Sequence, residues 1–165
     1  MNVTLKIFDD GSTDGTVDLV SSWKKHEQIQ LTQNQIPTGS AANNFFNALQ
    51  SFEDTFLDQY DYISFADQDD IWEKQKLSRL YHTIGSHSLI YADSQLIDDK
   101  GNELPLRMSD LKNQIPYTSP LMYTFGAWAP GHSMLFQKSI LKHAFPFPRF
   151  GSLYVPNPLM KDPQL

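Results

Sequence analysis

The 165-residue sequence is acidic, with 19 Asp and Glu against 13 Lys and Arg and a formal net charge of −6. That balance argues against a nucleic-acid surface, which normally carries a basic stripe. The absence of cysteine excludes disulfide staples and thiolate zinc sites. A hydrophobic content of 40% supports one domain with its own core, and no apolar run approaches the ~18 residues of a membrane span.

Val3–Phe8 is rich in β-branched and aromatic residues and runs into the polar octet DDGSTDGT (Asp9 to Thr16), so it reads as a strand ending in a loop. From Thr13 to about Lys25, Val17, Val20 and Trp23 recur at helical spacing. Ile29–Thr32 alternates as a short strand. Pro37 and Gly39 break the chain before a second helix, with Phe45, Phe46, Leu49 and Phe52 on its apolar side. Tyr60–Ala66 reads as a buried strand running into Asp67-Gln68-Asp69-Asp70-Ile71-Trp72, with Ile71 and Trp72 as core anchors. A third helix begins near Glu73, with Leu77, Leu80, Tyr81 and Ile84 inward. Ser88–Ala92 is a further strand, closing on Asp93. Asp98 to Gly101 is turn chemistry for a hairpin or bulge, Ser109–Pro130 is irregular, and Ser133–Phe136 reads as one more strand. Five prolines from Pro146 onward leave the end of the chain without a helical or strand period. The expected domains are therefore residues 1–148 as a core and 149–165 as an irregular tail.

Strands alternating with helices imply an α/β layer with a mostly parallel sheet, in which ligands bind outside the carboxyl ends of the strands. Three predicted strands close on aspartate, at Asp9, Asp67 and Asp93. The octet can be placed on a calcium loop with Asp10 first, but the twelfth position is then Ser21 instead of a bidentate glutamate, and a strand precedes it. Capping by Ser12 or Thr13, with Asp14 at the positive helix end, accounts for the second half of the octet. It leaves Asp9 and Asp10 for ligand binding. In the second acidic run, carboxylates ~5 Å apart repel by about 3 kcal/mol at an effective dielectric near 20. Such a cluster needs a divalent cation, proton uptake or a solvated loop.

The pairing of DDGSTDGT with DQDDIW resembles family 2 of the inverting GT-A glycosyltransferases, and in particular its rhamnosyltransferase-like branch. Asn34, Gly39 and Asn44-Phe45-Phe46, the Tyr91-Ala92-Asp93 stretch and Gly131-His132-Ser133-Met134-Leu135-Phe136 agree with it. The resemblance implies a three-layer GT-A sandwich acting on a UDP- or dTDP-sugar with Mg²⁺ or Mn²⁺, and a glycan or lipid-linked glycan as acceptor. Asp9 and Asp10 would contact the base and ribose. Asp67 would face the ribose and join Asp69 as the DXD pair on the metal, with Asp70 in support. Asn44 and Asp93 would line the donor pocket, packing or capping being the alternative for each. Gly131 and His132 would lie on the acceptor side, His132 having a purely structural alternative. A cytoplasmic protein of bacterial surface-polysaccharide synthesis, peripheral to the inner face of the membrane, is implied.

The family pattern also includes a strand ahead of the one ending in DDGS and an acidic HDWW-like segment that carries the general base. Neither is in this sequence, and proline-flanked Asp162 is not assigned as a base. A core trimmed at both ends is therefore expected, with the catalytic base unknown and self-association through exposed strands as a consequence. The alternatives are a non-catalytic nucleotide-sugar-binding remnant or partner subunit, and a metal-dependent nucleotidyltransferase, which would want a Gly- and basic-rich phosphate loop.

Overall fold

The computed structural model describes residues 2–23, 25–52, 58–111 and 129–144. The expected tail at 149–165, and most of the irregular stretch after Ser109, lie outside the described residues. Two βα units open the chain: β1 (Leu5–Asp9), α1 (Thr16–Ser22), β2 (Ile29–Gln33) and α2 (Ala41–Gln50). Then come β3 (Tyr62–Ser64), α3 (Lys76–Ile84) and β4 (Leu89–Tyr91). A hairpin of β5 (Gln95–Ile97) and β6 (Glu103–Arg107) turns at Asp98–Gly101 and leads into α4 (Met108–Leu111). A 3₁₀ turn at Gly131–Ser133 feeds β7 (Met134–Gln137), and α5 (Leu141–Ala144) follows a second such turn.

The fold is mixed α/β, but the expected mostly parallel sheet is replaced by three small ones. β1 and β2 are parallel, as a strand–helix–strand crossover requires. β3 and β4 also run in one direction, yet they do not pair with each other. β7 inserts between them, antiparallel to both. The helical crossover through α3 fixes the direction of β4, while the late strand takes the gap.

β7 earns its central place by its side chains. Leu135 and Phe136 are buried, and Phe136 forms a cluster with Leu49 and Leu141 that Phe52, Ile63, Phe65 and Met134 complete. Each fully buried Leu or Phe contributes about 1.5–3 kcal/mol relative to exposure. Helix α2 docks on this core through Phe45, whose ring stacks on Phe65 at 4.5 Å between centroids.

The first helix starts later than its apolar period suggests. Its N-cap is Gly15, in the left-handed region at φ 87°, and neither Ser12 nor Thr13 caps it. Asp14 instead accepts from the Thr16 amide and hydroxyl at 3.1 and 2.6 Å, closing a local turn. Ile71, expected as a core anchor, is 74% exposed, and Tyr81 is also exposed. α2 does have a side-chain cap, Ser40, which accepts from the Asn43 amide at 3.2 Å. Ser40→Ala is expected to cost about 1 kcal/mol in a urea unfolding curve; an unchanged midpoint would show that this cap is replaced by water.

Candidate functional site

The loop after β1 is held from two sides. Asp9, only 6% exposed, accepts from the Gly11 and Ser12 amides at 3.3 Å. Gly11 is required there: its φ is 101°, and a Cβ would meet Pro37 at 3.1 Å. Asp10 reaches across to the loop between β2 and α2. Its carboxylate accepts from the Asn34 side chain at 2.7 Å, the Thr38 amide at 2.7 Å and hydroxyl at 2.9 Å, and the Gly39 amide at 3.1 Å. Burial is the largest single influence on this carboxyl and pushes its pKa up, but the hydrogen bonds from Thr38, Asn34 and Gly39 together hold it below the usual range.

Asn34 extends the clasp. Its amide also donates to Asn44 Oδ1 at 2.9 Å, and its oxygen accepts from Asn47 at 3.0 Å. Asn44 in turn donates to the Phe8 carbonyl at 2.9 Å. Leu5 and Asp9 direct their backbone groups toward the β2 side, so the alternation of a strand turns the Phe8 carbonyl to the opposite edge. Asn44 therefore satisfies an edge group of β1.

A second cluster stands beyond the carboxyl end of β3. His132 Nδ1 lies 3.3 Å from Asp67 Oδ2 and 3.2 Å from Asp70 Oδ2. The side chains are partly shielded, 17% exposed for His132, 28% for Asp67 and 32% for Asp70. One candidate ligand atom from each residue falls within 4.8 Å of the others. Asp69, expected on the metal, is exposed and outside this trio. His132, expected toward the acceptor, has its ring on the two acids, while Gly131 backs onto the Phe65 ring. Two carboxylates and an imidazole match a divalent cation that takes oxygen and nitrogen donors, a description that suits Mn²⁺ better than Mg²⁺.

Lys76 borders the same cluster. Its ammonium donates to the His132 carbonyl at 2.7 Å and lies 3.8 Å from the centroid of the Trp72 ring. Burial lowers its pKa from the ordinary lysine value, and the charges of Asp70 and Asp67 partly oppose that shift. The sequence reading passed over Lys76, although Trp72 and Lys76 stand at an i, i+4 spacing. The contact between Asp67 and His132 spans 65 positions and leaves no such local signal.

Asp93 lies beyond the end of β4, and its carboxylate is occupied by its own chain. It accepts from the Ser94 and Ser109 amides at 2.9 and 3.0 Å and from the Ser109 hydroxyl at 2.8 Å, with Arg107 at 3.7 Å. These contacts pin the β5–β6 hairpin and the start of α4 to the strand, a capping role. Burial pushes the carboxyl up, but the Ser109 and Ser94 hydrogen bonds and Arg107 outweigh it and leave it below the usual range.

The described residues thus form a mixed α/β core with acidic loops at strand ends, one of them a carboxylate–imidazole cluster. The chain matches the family model of glycosyl transferase family 2 over residues 1–145 and belongs to that family. It is similar to the dTDP-rhamnosyl transferase RfbG of Shigella flexneri, with 28% identity over 149 residues, 86% of this chain and 47% of the relative. It is also similar to an uncharacterized glycosyltransferase of Nostoc sp., with 24% identity over 162 residues, 88% of this chain and 45% of the relative. The chain thus spans about half the length of these curated relatives. Among the described residues, no helix is long and apolar enough to cross a membrane.

Proposed function

We propose that this chain carries the nucleotide-sugar-binding part of an inverting, metal-dependent glycosyltransferase of bacterial surface-polysaccharide synthesis. The donor is a dTDP-sugar of the rhamnose class, with a UDP-sugar as the other candidate, and the acceptor is a hydroxyl of a glycan or lipid-linked glycan. The reaction takes place on the cytoplasmic side, at the inner face of the membrane. The observation that carries this reading is the meeting of Asp67, Asp70 and His132 in a chain of this family.

Bound Mn²⁺ or Mg²⁺ supplies Lewis-acid stabilisation of the charge that develops on the departing nucleotide diphosphate. Asp67, Asp70 and His132 would hold it. The acceptor oxygen forms its bond to the anomeric carbon on the face opposite the leaving group as the bond to the diphosphate oxygen breaks, and the hydroxyl proton passes to a base that remains unassigned. The rigid loop of Asp9 and Asp10 offers the nucleoside a preorganised wall. Binding is favoured when such a wall is ordered before the ligand arrives.

Calorimetry with dTDP and with UDP tests the reading. Binding heat that requires Mn²⁺ is expected. A folded sample that binds neither nucleotide in the presence of metal would remove the reading. Metal-dependent binding with no transfer from any activated sugar would instead identify a nucleotide-sugar-binding module without catalysis.

A further inference from the structure

We infer that Lys76 is a positioning residue that fixes His132 against the acidic pair. Two contacts from different segments converge on its ammonium. It begins α3, it donates to the His132 carbonyl at 2.7 Å, and it is seated 3.8 Å from the centroid of the Trp72 ring. A lysine at the start of a helix ordinarily extends its charged head into water. This one is half-buried and turned toward a backbone carbonyl 56 positions away. The indole face fixes the direction of its stem and ammonium, as cation–π contact does when the pair is partly desolvated.

In the 3₁₀ turn at Gly131–Ser133 the Ser133 amide and hydroxyl both donate to the Pro130 carbonyl at 3.0 and 2.7 Å, the Met134 amide donates to the Gly131 carbonyl, and the Ser133 carbonyl accepts from the Ala92 amide at 3.1 Å. These bonds close the turn on itself and join its Ser133 end to the residue after β4. The Lys76 bond ties the turn to the segment that carries Asp67 and Asp70. Lys76 therefore sets the height of the imidazole over the two carboxylates, while Trp72 sets the height of Lys76. The consequence for a bound cation rests on the proposed metal-dependent function; the positioning itself does not.

Modification of His132 by diethyl pyrocarbonate, followed by peptide mass spectrometry at fixed pH, measures how tightly the turn is held. Lys76→Met is expected to speed modification of His132 about tenfold, the effect of losing one charge-assisted hydrogen bond on a local opening equilibrium. His82 and His87 should keep their rates. With wild type and variant compared side by side at one pH, acceleration confined to His132 reports release of the turn. Lys76→Arg, which keeps a cationic donor able to stack on Trp72, should restore most of the protection. If Lys76→Met accelerates all three histidines through unfolding, Lys76→Gln carries the same comparison. An unchanged His132 rate in a folded Lys76→Met or Lys76→Gln protein overturns the inference. Failure of the wild-type chain to bind Mn²⁺ would remove the metal reading and leave this result standing.

Discussion

Asp67→Ala and Asp70→Ala are each expected to weaken Mn²⁺ binding about 100-fold, and Asp69→Ala by less than about 3-fold. The order follows from geometry, because Asp67 and Asp70 both reach His132 Nδ1 and Asp69 is exposed and apart from it. Two opposing effects must be weighed. Each alanine removes a ligand, and each also relieves the repulsion between two carboxylates within 4.8 Å, about 3 kcal/mol at an effective dielectric near 20. The relief acts on the metal-free protein, where it offsets the lost contact with His132, so thermal stability without metal should stay nearly level. The ligand loss acts only on the metal complex, where it wins. Affinity falling while metal-free stability holds is the signature of a metal ligand, and a packing residue would lower both. If Asp69→Ala abolishes Mn²⁺ binding while Asp70→Ala leaves it intact, the cation sits on the DXD pair and the trio does not hold it.

The second large effect is on stability. Asp10→Ala should destabilise the fold by about 3 kcal/mol, since four donors lose a charged acceptor in a partly buried loop. Asp10→Asn should cost about 2 kcal/mol, because its amide group would face donors that need an acceptor. The sign with pH follows from the lowered carboxyl pKa of Asp10 and of Asp93. The unfolded chain takes up protons first, near its value of 3.8, so both contributions are fully present above that pH. They are lost as pH falls through the lower folded values. Urea midpoints from pH 7 to 3 should show the wild type losing stability below about pH 4, with the gap between wild type and Asp10→Asn closing there. A gap that stays constant across that range would mean that the Asp10 hydrogen bonds do not depend on its charge.

The order of the elements was legible because their periods are local. The apolar spacing of α2 and α3, the turn residues Asp98–Gly101 and the aspartates beyond β1, β3 and β4 all appear in short windows of sequence. Strand pairing did not. Nothing in the residues 134–137 says that they enter between β3 and β4, because pairing is decided by which side chains find each other far along the chain, from Tyr91 with Met134 to Tyr62 with Gln137. The same limit applies to the sites. Asp67 and Asp70 stand out as neighbours in a charged run, but their histidine comes from the far side of the chain. Asp10 reads like a ligand because carboxylates after a strand often are. Its partners, Asn34, Thr38 and Gly39, become visible only once the loop folds back over it. Ile71 shows another limit: an isoleucine beside a tryptophan looks like core, and it is exposed instead.

The place of β7 sets an order on biosynthesis. Tyr62 pairs with Gln137 and Leu89 with Phe136, so the sheet that carries DQDDIW at its rim cannot close until the ribosome has delivered those late residues. Contacts of such long sequence separation form slowly, because loop closure precedes the gain from packing. A nascent chain that stops short of Met134 already contains every residue of β1, β2 and the Asp10 clasp. It would also leave two bare strand edges flanking an empty slot, a species suited to capture by chaperones. The residues of the Asp10 clasp are thus all synthesised before the histidine that meets Asp67 and Asp70.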